Sequence, residues 1–164
     1  MRMRAYQGSH LPVLIKLVSM TSGPILELGS GMFSSCFLHW ACYPTKRRLV
    51  TYENFPNYYR FANMFKADFH EVHCMNDWDS IDISEPWNIA FVDHEPPERK
   101  GIETRRLAHA DYIVAHDVGH GRRSWQFGYK GIYDEFKYHF DYDTLFPATA
   151  IFSNKYDLKD FHIP

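Results

Sequence analysis

Two groups of side chains in this 164-residue sequence have the types and spacing to do chemistry. One is the run Glu27-Leu28-Gly29-Ser30-Gly31, followed by Ser34 and, 22 residues after Gly31, by the acid Glu53. The other is a pair of short runs, Asp93-His94-Glu95 and His116-Asp117. A Gly-x-Gly turn between an apolar run and a helical run lets the backbone approach a nucleotide-like ligand closely. A pyrophosphate is a poor fit, because Ser34 stands where a dinucleotide fingerprint has its third glycine. Glu27 opposes it further, by about 4 kcal/mol per unit charge at about 4 Å and an effective dielectric of ~20. The same carboxylate favours an ammonium group.

S-adenosylmethionine offers an ammonium, a sulfonium and a ribose, with no phosphate. Glu53 lies close to the ~20-residue spacing at which an acid accepts ribose hydroxyls. Asn54 follows it, and Asp77-Trp78 comes after a third strand-like run, where the acid could accept from an adenine amino group and the indole could stack on the ring. The expected cofactor site is therefore Glu27, Gly29, Ser30, Gly31, Ser34, Glu53, Asn54, Asp77 and Trp78, with Asp93 at its edge.

The elements that must position these groups alternate between strand and helix. Ser9 is the expected cap of a helix with apolar positions Leu11, Leu14, Ile15 and Val18. Short apolar runs at 24–28, 48–53, 72–75, 87–93 and 110–115 predict strands, with helices over 32–43, from Pro56 to about Phe65, and from Pro96-Pro97 through Arg106. Such alternation implies right-handed βαβ units and a parallel sheet. Runs 138–146 and 149–153 are separated only by Pro147-Ala148, too short for a parallel crossover, so they should pair antiparallel.

Together these residues resemble the class I S-adenosylmethionine-dependent methyltransferases. Glu27 to Ser34 is similar to their first motif, Glu53 to the acid after their second strand, and the terminal hairpin to the end of their sheet. The resemblance spans about residues 9 to 157 and implies a Rossmann-like, doubly wound, mostly parallel α/β sheet in a single domain, 1–164. The segments Phe91-Val92-Asp93-His94 and Ala115-His116-Asp117-Val118 resemble the metal-binding segments of the catechol-type and the macrolide- or sugar-modifying O-methyltransferases. That likeness implies Asp93, His116 and Asp117 as ligands of a divalent ion holding the acceptor oxygen. Two carboxylates and an imidazole suit manganese, iron or zinc at least as well as magnesium.

Two departures stand out. The catechol-type family has an acid followed by an amide where this chain has His116-Asp117, and a lysine base three residues after the fourth-strand acid, where it has Pro96. A general base then falls to His94, Glu95 or His120. Without a metal, Asp93 and Asp117 are hydrogen-bonding strand ends and His116 touches cofactor or substrate. The resemblance implies methyl transfer to an oxygen, less readily a nitrogen, of a small molecule, with Asp93, His94, His116 and Asp117 at the reaction centre. An amino-methylating Pro-Pro motif is not reproduced, because two residues separate Asp93 from Pro96. The alternatives are a cofactor-binding module without transfer, and a methyltransferase of RNA, DNA or protein served by the basic and aromatic stretch Arg122 to Lys130.

Composition sets outer bounds. A formal net charge of −2 gives no global attraction to nucleic acid. Three cysteines, Cys36, Cys42 and Cys74, form no C-x-x-C pair and point to a reducing, cytoplasmic setting. No apolar run approaches the ~20 residues that span a bilayer, and the basic start lacks a cleavage site, so no membrane or secretory role is expected. Most of the 10 histidines should be packing or surface residues. A chain this short could borrow a second copy to close its site, as a homo-oligomer.

Overall fold

A computed structural model describes residues 5–119 and 127–163. His120 and the stretch from Arg122 to Gln126 lie outside the described residues, so the expectations placed on them are not addressed by the structure.

Three runs dominated by apolar residues, Ile25–Leu28 (β1), Ile89–Val92 (β4) and Tyr112–His116 (β5), are buried at every position. That continuous burial is what a parallel sheet covered on both faces requires. Strands Leu49–Glu53 (β2) and His70–Cys74 (β3) extend it on one side, and the antiparallel strands Tyr138–Tyr142 (β6) and Thr149–Ser153 (β7) on the other. The order is β3-β2-β1-β4-β5-β7-β6, with β7 antiparallel to both neighbours. The expected mostly parallel sheet with an antiparallel hairpin is what forms. β6 closes the edge with alternating half-buried and exposed residues.

Because successive strand residues point to opposite faces, the sheet feeds two apolar layers. Ile25, Leu49, Ile89, Phe91 and Val114 pack with Val13, Leu14 and Leu17 of helix Leu11–Met20 (α1) and Leu38 of helix Ser34–Cys42 (α2). Leu26, Leu28, Val50, Val92 and Ile113 pack on the other face with Trp78, Ile81, Trp87 and Leu107, the last of these following helix Lys100–Arg106 (α4). Helix Pro56–Asn63 (α3) connects β2 to β3.

The apolar stripe of α1 differs from expectation, since Ile15 is half exposed and Val13 and Leu17 are buried instead. Ser9 does not cap it. Its hydroxyl donates to the carbonyl of Pro147 and lies 2.9 Å from Nε2 of His116, so it ties the helix entrance to the end of β5. The expected long helix after Pro96 is a 3-10 turn, Pro97–Arg99, followed by α4. Among the described residues no helix is long and apolar enough to cross a membrane.

Candidate active site

β1 lies between β2 and β4, the point where the strand order reverses and where open α/β sheets bind ligands beyond their carboxyl ends. A cavity of about 350 Å³ opens there. Ser30, Gly31, Met32, Phe33 and Ser34 border it from the glycine loop, and Glu53, Phe55 and Tyr58 from the end of β2 onward. Asp93, His94, Glu95 and Lys100 approach from β4, and His116, Asp117, His10 and Pro147 close the far side.

Gly29 sets the loop. Its φ is +88°, and a Cβ there would lie 2.4 Å from the carbonyl oxygen of Asp93, so only glycine lets the end of β1 pass the end of β4. Ser30 then aims its main-chain N–H and its hydroxyl at Oε2 of Glu53, 2.7 and 2.9 Å away. Oε1 of Glu53 accepts from the N–H of Phe55 at 2.6 Å. The acid is thus fixed at the cavity edge by the loop it faces.

Glu27 behaves otherwise. It lies opposite Thr51 in the sheet register, is fully buried and does not border the cavity. Its carboxylate accepts from Thr51 at 2.7 Å and from Ser35 at 3.0 Å. Burial pushes its pKa up to about 7 despite the hydroxyls of Thr51, Ser34 and Ser35. The expected direct contact with a ligand ammonium gives way to a role beneath the loop: Ser35, held by Glu27, in turn accepts from the N–H of Gly31 at 3.1 Å.

The adenine assignments also change. Asp77 caps its own 3-10 turn by accepting from the N–H of Asp79. Trp78 is buried, donates its indole N–H to the carbonyl of Glu95 and packs on the ring of His94 with centroids 4.0 Å apart. Neither borders the cavity. Asn54 likewise braces Glu95, donating to its carbonyl at 2.9 Å. The aromatic side chains that do border the cavity near Glu53 are Phe55 and Tyr58.

On the β4 and β5 side, Asp93 and Asp117 are drawn together by a residue that sequence reasoning missed. Nζ of Lys100 lies 2.7 Å from Oδ1 of Asp93 and 2.5 Å from Oδ2 of Asp117, with only 3% of the lysine exposed. Pro96 occupies the expected lysine position, and the ammonium beside Asp93 comes instead from the first residue of α4. A lysine one turn after a Pro-Pro pair is the signal that could have found it. Burial alone would lower its pKa, yet Asp93 and then Asp117 hold it above the usual lysine value. Asp93 is held far below the carboxylate range by Lys100 and His116, against its own burial.

His116 points Nδ1 at Oδ2 of Asp93, 3.2 Å away, and Asp93 raises its pKa against burial. Asp117 adopts a left-handed backbone, φ +63°, which acids tolerate better than most residues. His94 is a correction: its ring has no exposed surface and sits 3.4 Å from Glu103, out of reach as a general base. Glu95 borders the cavity, and burial raises its pKa.

The expected metal ligands do not form one set, because the ammonium of Lys100 stands between Asp93 and Asp117 where a shared cation would sit. Among the described residues, the ligand atoms that converge within 4.8 Å of one another belong to His10, Asp93 and His116.

A cofactor-bound protein from MTB superposes over 95% of this chain and 83% of its own, with a TM-score of 0.66 and 17% identity. The O-methyltransferase from Bacillus cereus in complex with SAH follows over 92% and 81%, with a TM-score of 0.63 and 16% identity. The SAH-bound methyltransferase of Podospora anserina matches over 92% and 80%, with a TM-score of 0.64 and 12% identity. The fold is that of the class I methyltransferases. No protein-family model and no curated protein matches the sequence, so the likeness lies in the architecture. Within a methyltransferase fold, the cavity described above occupies the switch point of the sheet, beside both the glycine loop and the acid of β2.

Proposed function

We propose that this chain is an S-adenosylmethionine-dependent methyltransferase acting on an oxygen of a small molecule. The observation that carries the reading is the charge of the cavity wall. Among the described residues, four carboxylates, Glu53, Asp93, Glu95 and Asp117, border it against one ammonium, Lys100, which already pairs with two of them. Such a wall repels phosphates and suits a ligand bearing an ammonium and a sulfonium.

Glu53 would accept the ribose hydroxyls, while the main chain from Ser30 to Phe33 and the rings of Phe55 and Tyr58 border the rest of the cofactor. Bound there, S-adenosylmethionine supplies a methyl group already activated by its positive sulfur. The chain must then orient an acceptor and take its proton. Lys100, held protonated by its two partners, is a donor rather than a base. Asp93 and Asp117, each partly exposed to the cavity, orient an incoming hydroxyl, and Glu95, which borders the cavity with its pKa raised by burial, receives its proton as the methyl is transferred.

A second cavity of about 220 Å³ shares Asp117 and Pro147 with the first and is lined by Val118, Phe127, Phe146 and Ala148. Its apolar wall fits an acceptor with a hydrophobic body and a hydroxyl directed at Asp117. Calorimetry with S-adenosylmethionine and S-adenosylhomocysteine tests the reading. Both should bind, and Glu53→Gln should weaken binding by about 10- to 100-fold, as for loss of a charged hydrogen-bond acceptor. Folded protein that binds neither ligand overturns it.

A further inference from the structure

We propose that His10, Asp93 and His116 form a three-ligand site for a borderline divalent cation of the zinc type, with an open position facing the cavity. Hydrogen-bond accounting around His116 leads there. Ser9 has one hydroxyl proton, and it goes to the carbonyl of Pro147 at 2.7 Å. The contact of Ser9 with Nε2 of His116, at 2.9 Å, therefore has the imidazole as donor. A neutral ring with its proton on Nε2 turns the lone pair of Nδ1 toward Oδ2 of Asp93, 3.2 Å away, and the contact is not aligned as a hydrogen bond. Two acceptors facing each other need a proton or a cation between them.

His10 selects between the two. It is 2% exposed and borders the cavity, and among the described residues neither of its ring nitrogens has a hydrogen-bond partner. A second proton on His116 does nothing for His10, whereas a cation engages its lone pair as well. The ring stands edge-on to that of His116, with centroids 4.9 Å apart, and packs on Phe91. Ligand bonds of about 2.0–2.1 Å in a tetrahedral site place ligand atoms roughly 3.3 Å apart, close to the separation already present between His116 and Asp93.

The donor set names the metal class. Two imidazoles and one carboxylate suit zinc, cobalt, manganese or ferrous iron, whereas magnesium and calcium prefer oxygen. Ser9 fixes the His116 tautomer from behind, as outer-shell partners of metal-bound histidines do. Lys100 neutralises Asp117 and one oxygen of Asp93, and leaves the other oxygen for the cation. His10, the residue before α1, thus replaces the Asp117 expected from the strand ends.

Cobalt(II) titration of the full chain, followed by its visible spectrum and by calorimetry, needs neither cofactor nor acceptor and so stands apart from the methyl-transfer reading. One cobalt per chain should bind, displaceable by zinc and not by magnesium. His10→Gln should weaken cobalt binding at least tenfold, Ser9→Ala by about 10- to 100-fold as for an outer-shell partner, and Asp117→Asn by less than threefold. Circular dichroism and a thermal melt confirm that each variant is folded. Absence of binding overturns the proposal, as does retention of wild-type affinity in folded His10→Gln or its loss in Asp117→Asn. A thiolate charge-transfer band would place the ion at a cysteine and overturn it equally. Should His10→Gln fail to fold, Ser9→Ala and Asp117→Asn decide between the two ligand sets.

Discussion

Glu27 lies in β1 and Asp93 just past the end of neighbouring β4, the first fully buried and the second partly so, and the protein treats their charges in opposite ways. Among the described residues Glu27 meets hydroxyls and no cation, so burial wins and its carboxyl is held by neutral donors with a pKa of about 7. Asp93 has Lys100 and His116 beside it, so ion pairing wins and its carboxyl stays charged. The difference separates two settings. A carboxyl that stiffens a loop needs only neutral hydrogen bonds, whereas the one at the cavity edge keeps its charge because an ammonium stands beside it.

The contrast breaks most severely at Lys100. Lys100→Met leaves two partly buried carboxylates facing each other without a cation, and unfolding by urea should show a loss of about 3–5 kcal/mol, the cost of breaking a buried ion pair. The Asp93 carboxyl should then titrate upward, as Glu27 does. A carbon-13 titration that leaves it low would show that Lys100 is not what distinguishes the two acids.

Glu27→Gln tests the other half. The folded state holds the Glu27 proton up to about 7, against an ordinary value of 4.5, so wild-type stability falls as pH rises through that window and is flat above it. Glutamine removes this dependence. The variant should be more stable by about 3 kcal/mol at pH 8, from about 1.4 kcal/mol per unit, with the advantage gone at pH 4. An equal gain at both pH values would sink the argument.

Thr51→Val is the mildest change, removing one hydroxyl from Glu27. About 1 kcal/mol of stability should be lost, the usual worth of such a bond, and the Glu27 titration should move further up. Urea denaturation and carbon-13 titration give the two readouts, and an unchanged titration would show that the hydroxyl does not set the acid's affinity for its proton.

The sheet was legible because burial of its strands leaves a periodic record: β1, β4 and β5 read as short apolar runs, and the gap before β7 is too short for a parallel crossover even though β6 stops at Tyr142 rather than at 146. The glycine loop and Glu53 were legible for the same local reason, since a strand, a turn and an acid at fixed spacing lie within one stretch of chain. Lys100 and His10 were not. Lys100 reaches Asp93 across a 3-10 turn that resets the helical phase, and His10 is 83 residues from Asp93, joined to it only by folding. Trp78 and Glu27 were assigned by type and position alone, and what decides their roles is which way the side chain faces. His39 and His70, buried with ring nitrogens 3.2 Å apart, fit the expectation that most histidines pack.

The contact between Gly29 and the Asp93 carbonyl works like a caliper. The two halves of the cavity are spaced by one main chain lying against another, with no side chain between them. Substitutions around the rim can alter what is held on either side while leaving that interval untouched. On the methyl-transfer proposal, changes in acceptor preference would fall to the segments around Val118, Phe127 and Phe146, and the donor-to-acceptor distance would be inherited unchanged.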